Sequence, residues 1–407
     1  MKSEIYGAKV NESFIKPRYD SGGFAGIPNR IKNAFASKKY DAVVLFFIDA
    51  FGWRFYERFQ DIAFIKRIVK QGKIEKLISQ FPSTTAAHVT TMHTGLPVGM
   101  SGVHEWQYYE PQVDQIIAPL LFSFAGTKER ETLNTKKVDK VDAAAIYPKG
   151  ILYPELKKMG VESFNFGLRD YTPSTYSNIV MEGSEMRSFK TLSEAFVNMG
   201  LLLEKQTRPT YIHLYFDKID TIAHEYGPNA PQTEAEIETF LLMMEHYFER
   251  IFHGKKKILF LMTADHGMCE IDPQTTIYLN TNLNFEGFQR FLKKNRKGYW
   301  LVPAGSPRDM FLYIKEDMLD EAQAFLAKRL EGKADVVKTE SLIADGYFGQ
   351  EISSRFRERV GNLVILSYRY ESVWWYEKDK FEQKFYGHHG GLTPQEMETI
   401  LYLYEIG

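Results

Sequence analysis

From Val43 to Trp53 the chain reads VVLFFIDAFGW, six apolar residues in a row that stop at Asp49. A strand with one wet face would alternate polar and apolar positions, so an unbroken run of this length fits a parallel strand covered on both faces. Further strands are expected at Ile74 to Phe81, Ser163 to Phe166, Tyr211 to Phe216 and Ile258 to Thr263, with room for crossover helices between them. Glu234 to Ile251 is the clearest helix, because Ile237, Leu241, Met244, Phe248 and Ile251 recur at three- and four-residue spacing. This alternation predicts an α/β fold built on a doubly wound, mostly parallel sheet.

After Thr276 the pattern changes. A helix is expected over Phe285 to Lys294, a strand over Met310 to Ile314, a second helix over Asp317 to Leu330 and a strand over Val336 to Lys338. These elements predict a smaller α+β insertion, a cap spanning residues 279–345, set between the first part of the core (1–278) and its final part (346–407). The apolar run Leu363 to Tyr368 is expected to return to the core ahead of Gly387-His388-His389-Gly390-Gly391.

Composition narrows the function classes. The chain has 407 residues, 44% of them hydrophobic and 25% charged, which suits a folded protein and excludes a mainly disordered one. Its 51 Lys and Arg against 52 Asp and Glu give a net charge of −1, so no long-range field draws it to nucleic acid or to an anionic membrane. The densest basic runs, Lys255 to Lys257 and Lys293-Lys294, read as solvated surface. One cysteine, Cys269, allows neither an internal disulfide nor a cysteine-rich zinc site. The first residues lack an apolar signal segment, and no stretch reaches the ~18 uninterrupted apolar residues of a membrane helix. A soluble, cytoplasmic protein is expected.

Chemistry concentrates at the strand ends. Asp49 closes the first strand, Asp220 and His224 follow the Tyr211 strand, and Asp265-His266 close the Ile258 strand. In an open parallel sheet the ligand site lies beyond the carboxyl ends of the strands, so these groups should meet at one edge. The four-residue spacing of Asp220 and His224 sets both on one face of a helical turn. Carboxylate and imidazole together suit Zn²⁺, with Mn²⁺ or Fe as the alternatives, and the donors outnumber what one catalytic ion needs. Two ions about 4 Å apart would use them, the arrangement associated with displacement at phosphorus. A hydroxyl nucleophile is on offer in FPSTTAAHVTTMHTG, Phe81 to Gly95, where Pro82 and the Ser/Thr cluster open a helix. Taken singly, each of these residues is as well explained by capping or ordinary polar packing; their coincidence at successive strand ends is what points to a site.

These residues resemble the alkaline phosphatase superfamily and, within it, the type I phosphodiesterase/nucleotide pyrophosphatase family. The segments that carry the resemblance are FFIDAFGW at Asp49, FPSTTAAHVTTMHTGLP at Thr85, YFDKIDTIAHEYGP at Asp220 and His224, TADHG at Asp265-His266, and HHGGLTPQEM at His389. Their order matches too. The resemblance implies two divalent ions: one held by Asp49, Asp265 and His266, with Thr85 as its coordinated nucleophile, the other by Asp220, His224 and His389. It selects Thr85 over Thr84 by spacing from Pro82 and Thr94, and His389 over His388 by the Gly-Gly pair that follows. The expected reaction is attack by Thr85 on phosphorus, giving a phosphothreonine that water then hydrolyses.

Two departures bear on substrate. Nucleotide-cleaving relatives often place an aromatic residue after the nucleophile, where this chain has Ala86. They also carry an Asn that donates to a phosphoryl oxygen in the segment matching Val103 to Tyr109, which here offers His104, Trp106 and Gln107. Gln107 is the expected substitute donor, with Trp106, Tyr108 and Tyr109 expected either to line the substrate slot or to pack as ordinary aromatic residues. Cys269 lacks the C/S-x-P-x-R context of a sulfatase and is expected in the core. The leading expectation is therefore a phosphodiesterase acting on a small-molecule phosphate ester. A phosphomonoesterase or phosphonate C–P hydrolase on the same scaffold is the alternative, and a metal-stabilised interaction protein with lapsed catalysis is the non-enzymatic one.

Overall fold

The computed structural model describes residues 10–134, 141–252, 254 and 256–407; the first nine residues and Lys255 of the expected basic run lie outside them. In chain order the strands used here are β1 (Ala42–Ile48), β2 (Lys73–Ile78), β3 (Glu162–Leu168), β4 (Glu185–Phe189), β5 (Thr210–Phe216), β6 (Ile258–Thr263), β7 (Asp309–Leu312), β8 (Ala334–Lys338), β9 (Leu363–Ser367) and β10 (Glu398–Ile406). The helices are α1 (Thr85–Thr94), α2 (Lys218–Tyr226), α3 (Pro231–Phe252) and α4 (Leu319–Arg329). The main sheet runs β2-β10-β6-β1-β5-β3-β4. All its strands are parallel except β10, which is antiparallel to both β2 and β6.

The apolar run at β1 has the central place expected of it. All seven residues are buried. Ala42, Val44, Phe46 and Ile48 enter a core shared with Ile237, Leu241, Met244 and Phe248 of α3. Val43, Leu45 and Phe47 enter the core on the opposite face, shared with Ala86, Val89 and Met92 of α1. Helices therefore cover both faces, and each large apolar side chain of β1 contributes roughly 1.5–3 kcal/mol through burial. The doubly wound, mostly parallel α/β fold is the architecture observed.

Three expectations need correction. The strand expected from Ile74 to Phe81 ends at Ile78 and is an edge strand, pairing within the main sheet with β10 alone and solvent-facing through Lys73 and Lys76. Charge on an edge strand discourages pairing with other chains. The helix expected over Phe285 to Lys294 is two short 3-10 turns, Leu283–Phe285 and Phe288–Phe291, split by Gly287 in the left-handed region at φ +80°. The run Leu363 to Tyr368 does not rejoin the main sheet: β9 is the middle strand of a small antiparallel sheet, between β7 and β8. A middle strand reads as apolar whichever sheet it joins, so the run could not name its partners.

Among the described residues no helix is long and apolar enough to cross a membrane. Cys269 is buried and unpaired.

Candidate active site

The carboxyl ends of β1, β5 and β6 bring the predicted residues to one edge of the main sheet. Asp49 follows directly on β1, and its backbone N–H donates to the carbonyl of Phe216 at the end of β5 (2.9 Å). Asp265 and His266 lie in the turn after β6, and Asp265 Oδ1 accepts from the N–H of Ala50 (3.2 Å). Asp220 and His224 sit one turn apart on α2, with Oδ1 and Nε2 3.4 Å apart. His389 comes from the loop ahead of β10.

Two clusters result, Asp49 with Asp265 and His266, and Asp220 with His224 and His389, each with its ligand atoms within 4.8 Å of one another. They adjoin: the rings of His266 and His389 stack with centroids 3.6 Å apart. His388, by contrast, is not among the clustered residues and meets His224 edge to face at 4.9 Å.

Both clusters have the chemistry of cation sites. Asp49 Oδ1 and Asp220 Oδ1 are buried without a hydrogen-bond donor among the described residues, a costly state for a carboxylate oxygen unless a cation meets it. Burial first, then the charges of Asp265 and Asp220, hold Asp49 well above the usual carboxylate range, although Tyr215 O–H donates to its Oδ2. Burial also raises Asp220, against the pull of His224 and His266. For Asp265 burial works the same way, but the adjoining His266 outweighs it and the carboxyl stays low; His266 is correspondingly raised, its own burial outweighed by Asp265. Imidazole nitrogens and carboxylate oxygens in this number fit two divalent ions of the zinc or manganese type.

Thr85 is the first residue of α1, and its Oγ1 lies 3.3 Å from His266 Nε2 and 3.5 Å from Asp49 Oδ2. Thr84 is the extended residue before the helix, and its side chain makes no cap hydrogen bond. Free N–H groups and the positive end of the helix dipole therefore surround Thr85, a setting that favours a phosphate. His88, a turn further on, fixes this entry: its Nδ1–H donates to Thr84 O (2.7 Å) and its Nε2 accepts from Gln80 N–H (3.0 Å). Burial keeps that imidazole neutral, pushed down to about 4.

The loop carrying His389 is tied to the same turn. His389 Nδ1–H donates to Ser83 O (2.9 Å), Ser83 Oγ donates to Gly391 O (2.8 Å) and Gly390 N–H donates back to Ser83 Oγ (3.1 Å). Behind it, Arg308 Nε and Nη2 each reach a Glu396 oxygen at 2.9 Å, both side chains fully buried. Glu396 Oε1 also accepts from Gly391 N–H (3.0 Å), so the ion pair anchors the Gly-Gly turn.

Trp106 and Gln107 line a cavity of about 350 Å³ together with Thr85, Asp220, His224 and His389. His104 does not join them: it is stacked on Tyr108 among Phe311 and Phe356, in the core. Sequence reasoning missed Glu105, a fully buried acid on the same cavity, interacting with Thr84 and with Asp309. Burial pushes it up to about 8, against hydrogen bonds from Trp106 N–H and Thr84. Tyr215, the donor to Asp49, was missed as well. Its only sequence signal is its place near the end of β5.

The family model described as type I phosphodiesterase / nucleotide pyrophosphatase matches residues 43–392. No curated protein matches the sequence. Among solved structures, murine ectonucleotide pyrophosphatase/phosphodiesterase 5, an inactive variant in complex with AMP, is similar with a TM-score of 0.64 at 15% identity, over 89% of this chain and 87% of that one. The human form of that protein gives 0.61 at 15% identity, over 89% and 87%. Phosphonoacetate hydrolase from Sinorhizobium meliloti, in complex with phosphonoacetate, gives 0.59 at 15% identity, over 88% and 89%.

Proposed function

The chain belongs to the type I phosphodiesterase / nucleotide pyrophosphatase family, within the alkaline phosphatase superfamily, and on that premise we propose that it is a two-metal phosphodiesterase with Thr85 as nucleophile. The observation that carries the reading is the position of Thr85 Oγ1, 3.3 Å from His266 and 3.5 Å from Asp49 at a helix start, with the second cluster alongside. Asp49, Asp265 and His266 would hold one ion, and Asp220, His224 and His389 the other. Bound there, two dications supply the Lewis acidity that activates a hydroxyl and offsets charge on phosphoryl oxygens. Thr85 Oγ1 gives up its proton to solvent and forms the bond to phosphorus as the opposite ester oxygen leaves with its electron pair and takes up a proton from water. Water then cleaves the phosphothreonine, returning the hydrogen to Thr85.

A diester is favoured over a monoester by the lining of the 350 Å³ cavity. Its one Lys or Arg is Lys380, already paired with Glu377, so no free cation stands ready for the extra charge of a monoester dianion. Gly305, Ser306 and Pro307 line the same cavity, which supports reading the smaller unit expected over 279–345 as a cap, extended by its paired strand β9. Phosphonate C–P hydrolysis would use the same residues.

The test is hydrolysis of bis-p-nitrophenyl phosphate against p-nitrophenyl phosphate by zinc- or manganese-loaded protein. A diester preference that is abolished in Thr85→Ala, with metal binding retained, is the expected result. Turnover unchanged in that variant would remove Thr85 from the chemistry, and a Thr85-dependent monoester preference would overturn the substrate class.

A further inference from the structure

A few residues ahead of His389 stands a side-chain amide that the chemistry above does not use. Gln383 is 8% exposed and lines the 350 Å³ cavity. Its Oε1 accepts from the backbone N–H of Lys384 (2.9 Å) and from that of Phe385 (3.1 Å). Only an oxygen can accept from two N–H groups, so the orientation of the amide is fixed and Nε2 is the atom turned away from the chain. That Nε2 is buried and has no partner among the described residues, with two hydrogens to donate. A buried donor left unmet is costly, and the space that Gln383 borders is the cavity.

The same loop fixes which end of the cavity this donor serves. Tyr386 N–H donates to His224 O (2.9 Å), and the ring of Phe385 lies 5.0 Å from that of His224. Gln383 therefore stands on the side of the second cluster. In an in-line displacement the departing oxygen lies opposite the nucleophile, on that side; this placement rests on the reading of Thr85 as nucleophile. The surroundings narrow the group that departs. Trp106, Trp374, Phe381 and Phe385 give the cavity flat apolar faces. Gln107 Oε1, also on the lining, is buried and lacks a donor among the described residues. Outside the two clusters the charged side chains of the lining are spent, Lys380 on Glu377 and Glu382 on Lys384, while burial disfavours a charge on Glu105. Neither an ammonium nor a carboxylate finds a ready counter-charge here, so a neutral group is favoured.

We propose that this cavity receives the departing alcohol, that the alcohol is a hydroxylated ring of the cyclitol or sugar type, and that Gln383 Nε2 selects it by donating to one of its oxygens. Such a ring lays C–H faces on the aromatic walls and carries hydroxyls at its edge. A hydroxyl accepts from Gln383 and can donate in turn to an oxygen such as Gln107 Oε1. A bare ring of the same size leaves both amides unmet, which is the strong kind of hydrogen-bond discrimination.

The test compares matched rings. Binding of the methyl phosphodiesters of myo-inositol and of cyclohexanol is measured by calorimetry on the metal-loaded Thr85→Ala protein, so that affinity is read without turnover. The methyl phosphodiesters of glucose, joined through O6, and of cyclohexylmethanol form a second pair that separates sugar from cyclitol. In at least one pair the hydroxylated ester should bind about tenfold more tightly. A site governed by its apolar walls would prefer the bare ring instead. Gln383→Glu keeps an oxygen for the N–H groups of Lys384 and Phe385 but puts an acceptor where the donor was, and Gln383→Leu removes the donor without adding charge. Each should bring the ratio in the favoured pair to near one, whereas a residue that only supports the loop would weaken both esters alike and leave the ratio standing. Parental ratios of one or below in both pairs, a ratio that survives both substitutions, or no binding of any ester overturns the proposal. Turnover by the protein with Thr85 intact is followed separately through the alcohol released. Release of methanol in place of the ring alcohol would put the ring on the other side of phosphorus and overturn the assignment. No release from any diester would defeat the diesterase reading, while the affinity ratio would still decide what Gln383 does.

Discussion

His224 Nε2 and His389 Nε2 face each other at 3.1 Å, and in the neutral tautomers that their carbonyl partners select each turns a lone pair towards the other. Each Nδ1–H is spent on a backbone carbonyl, His224 on Gly387 O (2.8 Å) and His389 on Ser83 O (2.9 Å). Burial, reinforced by the neighbouring imidazoles, holds His389 well below the usual histidine range, so it stays neutral at pH 7. Two lone pairs at this separation repel unless a cation lies between them, and Asp220 Oδ1 is 3.4 Å from one and 3.6 Å from the other. Stripping the protein with a chelator should therefore lower its thermal midpoint, on the order of 5 °C, and zinc or manganese should restore it. A midpoint indifferent to chelation and reloading would mean that no ion belongs to the fold.

Tyr215 orients Asp49 by donating to its Oδ2, leaving Oδ1 free to face His266 at 3.5 Å. Replacing Tyr215 with Phe keeps the ring, packed edge to face on Phe47 at 5.4 Å, and removes only the donor. Affinity for the ion of the Asp49 cluster should fall by roughly 10–100-fold. Competition with a chromogenic chelator measures it; unaltered affinity for both ions would show that Asp49 needs no such support.

What could be read from the sequence follows from distance along the chain. Asp49 and Asp265-His266 were legible because each ends an apolar run, and Asp220 with His224 because helical spacing is local. The positions that support them were not. Glu105 and Asp309 come together from opposite sides of a long separation, and Arg308 finds Glu396 across 88 residues, with no local periodicity to announce either contact. The strand β10 escaped notice for another reason. It runs antiparallel within a sheet expected to be parallel, and its later residues, Tyr404 to Ile406, are partly exposed, so it does not read as a buried run. The small sheet took β9 because pairing partners are set by the tertiary arrangement, not by the apolar run itself.

Gly390 has φ +126°, and a Cβ there would come within 2.4 Å of both Asp309 Oδ1 and Ser306 Oγ. Those two atoms are hydrogen-bonded to each other at 2.6 Å inside the protein, so neither can retreat cheaply. Gly390→Ala should push the preceding His389 away from His224, weakening the second ion by roughly 10–100-fold while the Asp49 cluster keeps its own. Metal stoichiometry read at limiting zinc should fall from two towards one. Two ions still held with parental affinity would show that the loop absorbs the methyl group.

His104 gives a pH dependence of definite sign. Burial, with Arg359 nearby, pushes its imidazole down to about 3, against a hydrogen bond with the backbone of Gly102. In the unfolded chain the same group titrates near 6.5. Below that pH the unfolded state binds a proton that the folded state refuses, so the contribution of His104 to stability is intact above 6.5 and is lost as pH falls towards 3. Between pH 7 and pH 5 the loss amounts to about 2 kcal/mol. His104→Phe keeps an aromatic ring between Tyr108 and Phe356, 4.8 and 5.4 Å away, and has nothing to titrate. Urea unfolding of parent and variant at the two pH values isolates this group, because every other titration cancels in the comparison. The variant should lose less stability on acidification by about that amount. Parallel losses in the two proteins would mean that His104 takes up its proton in the folded state.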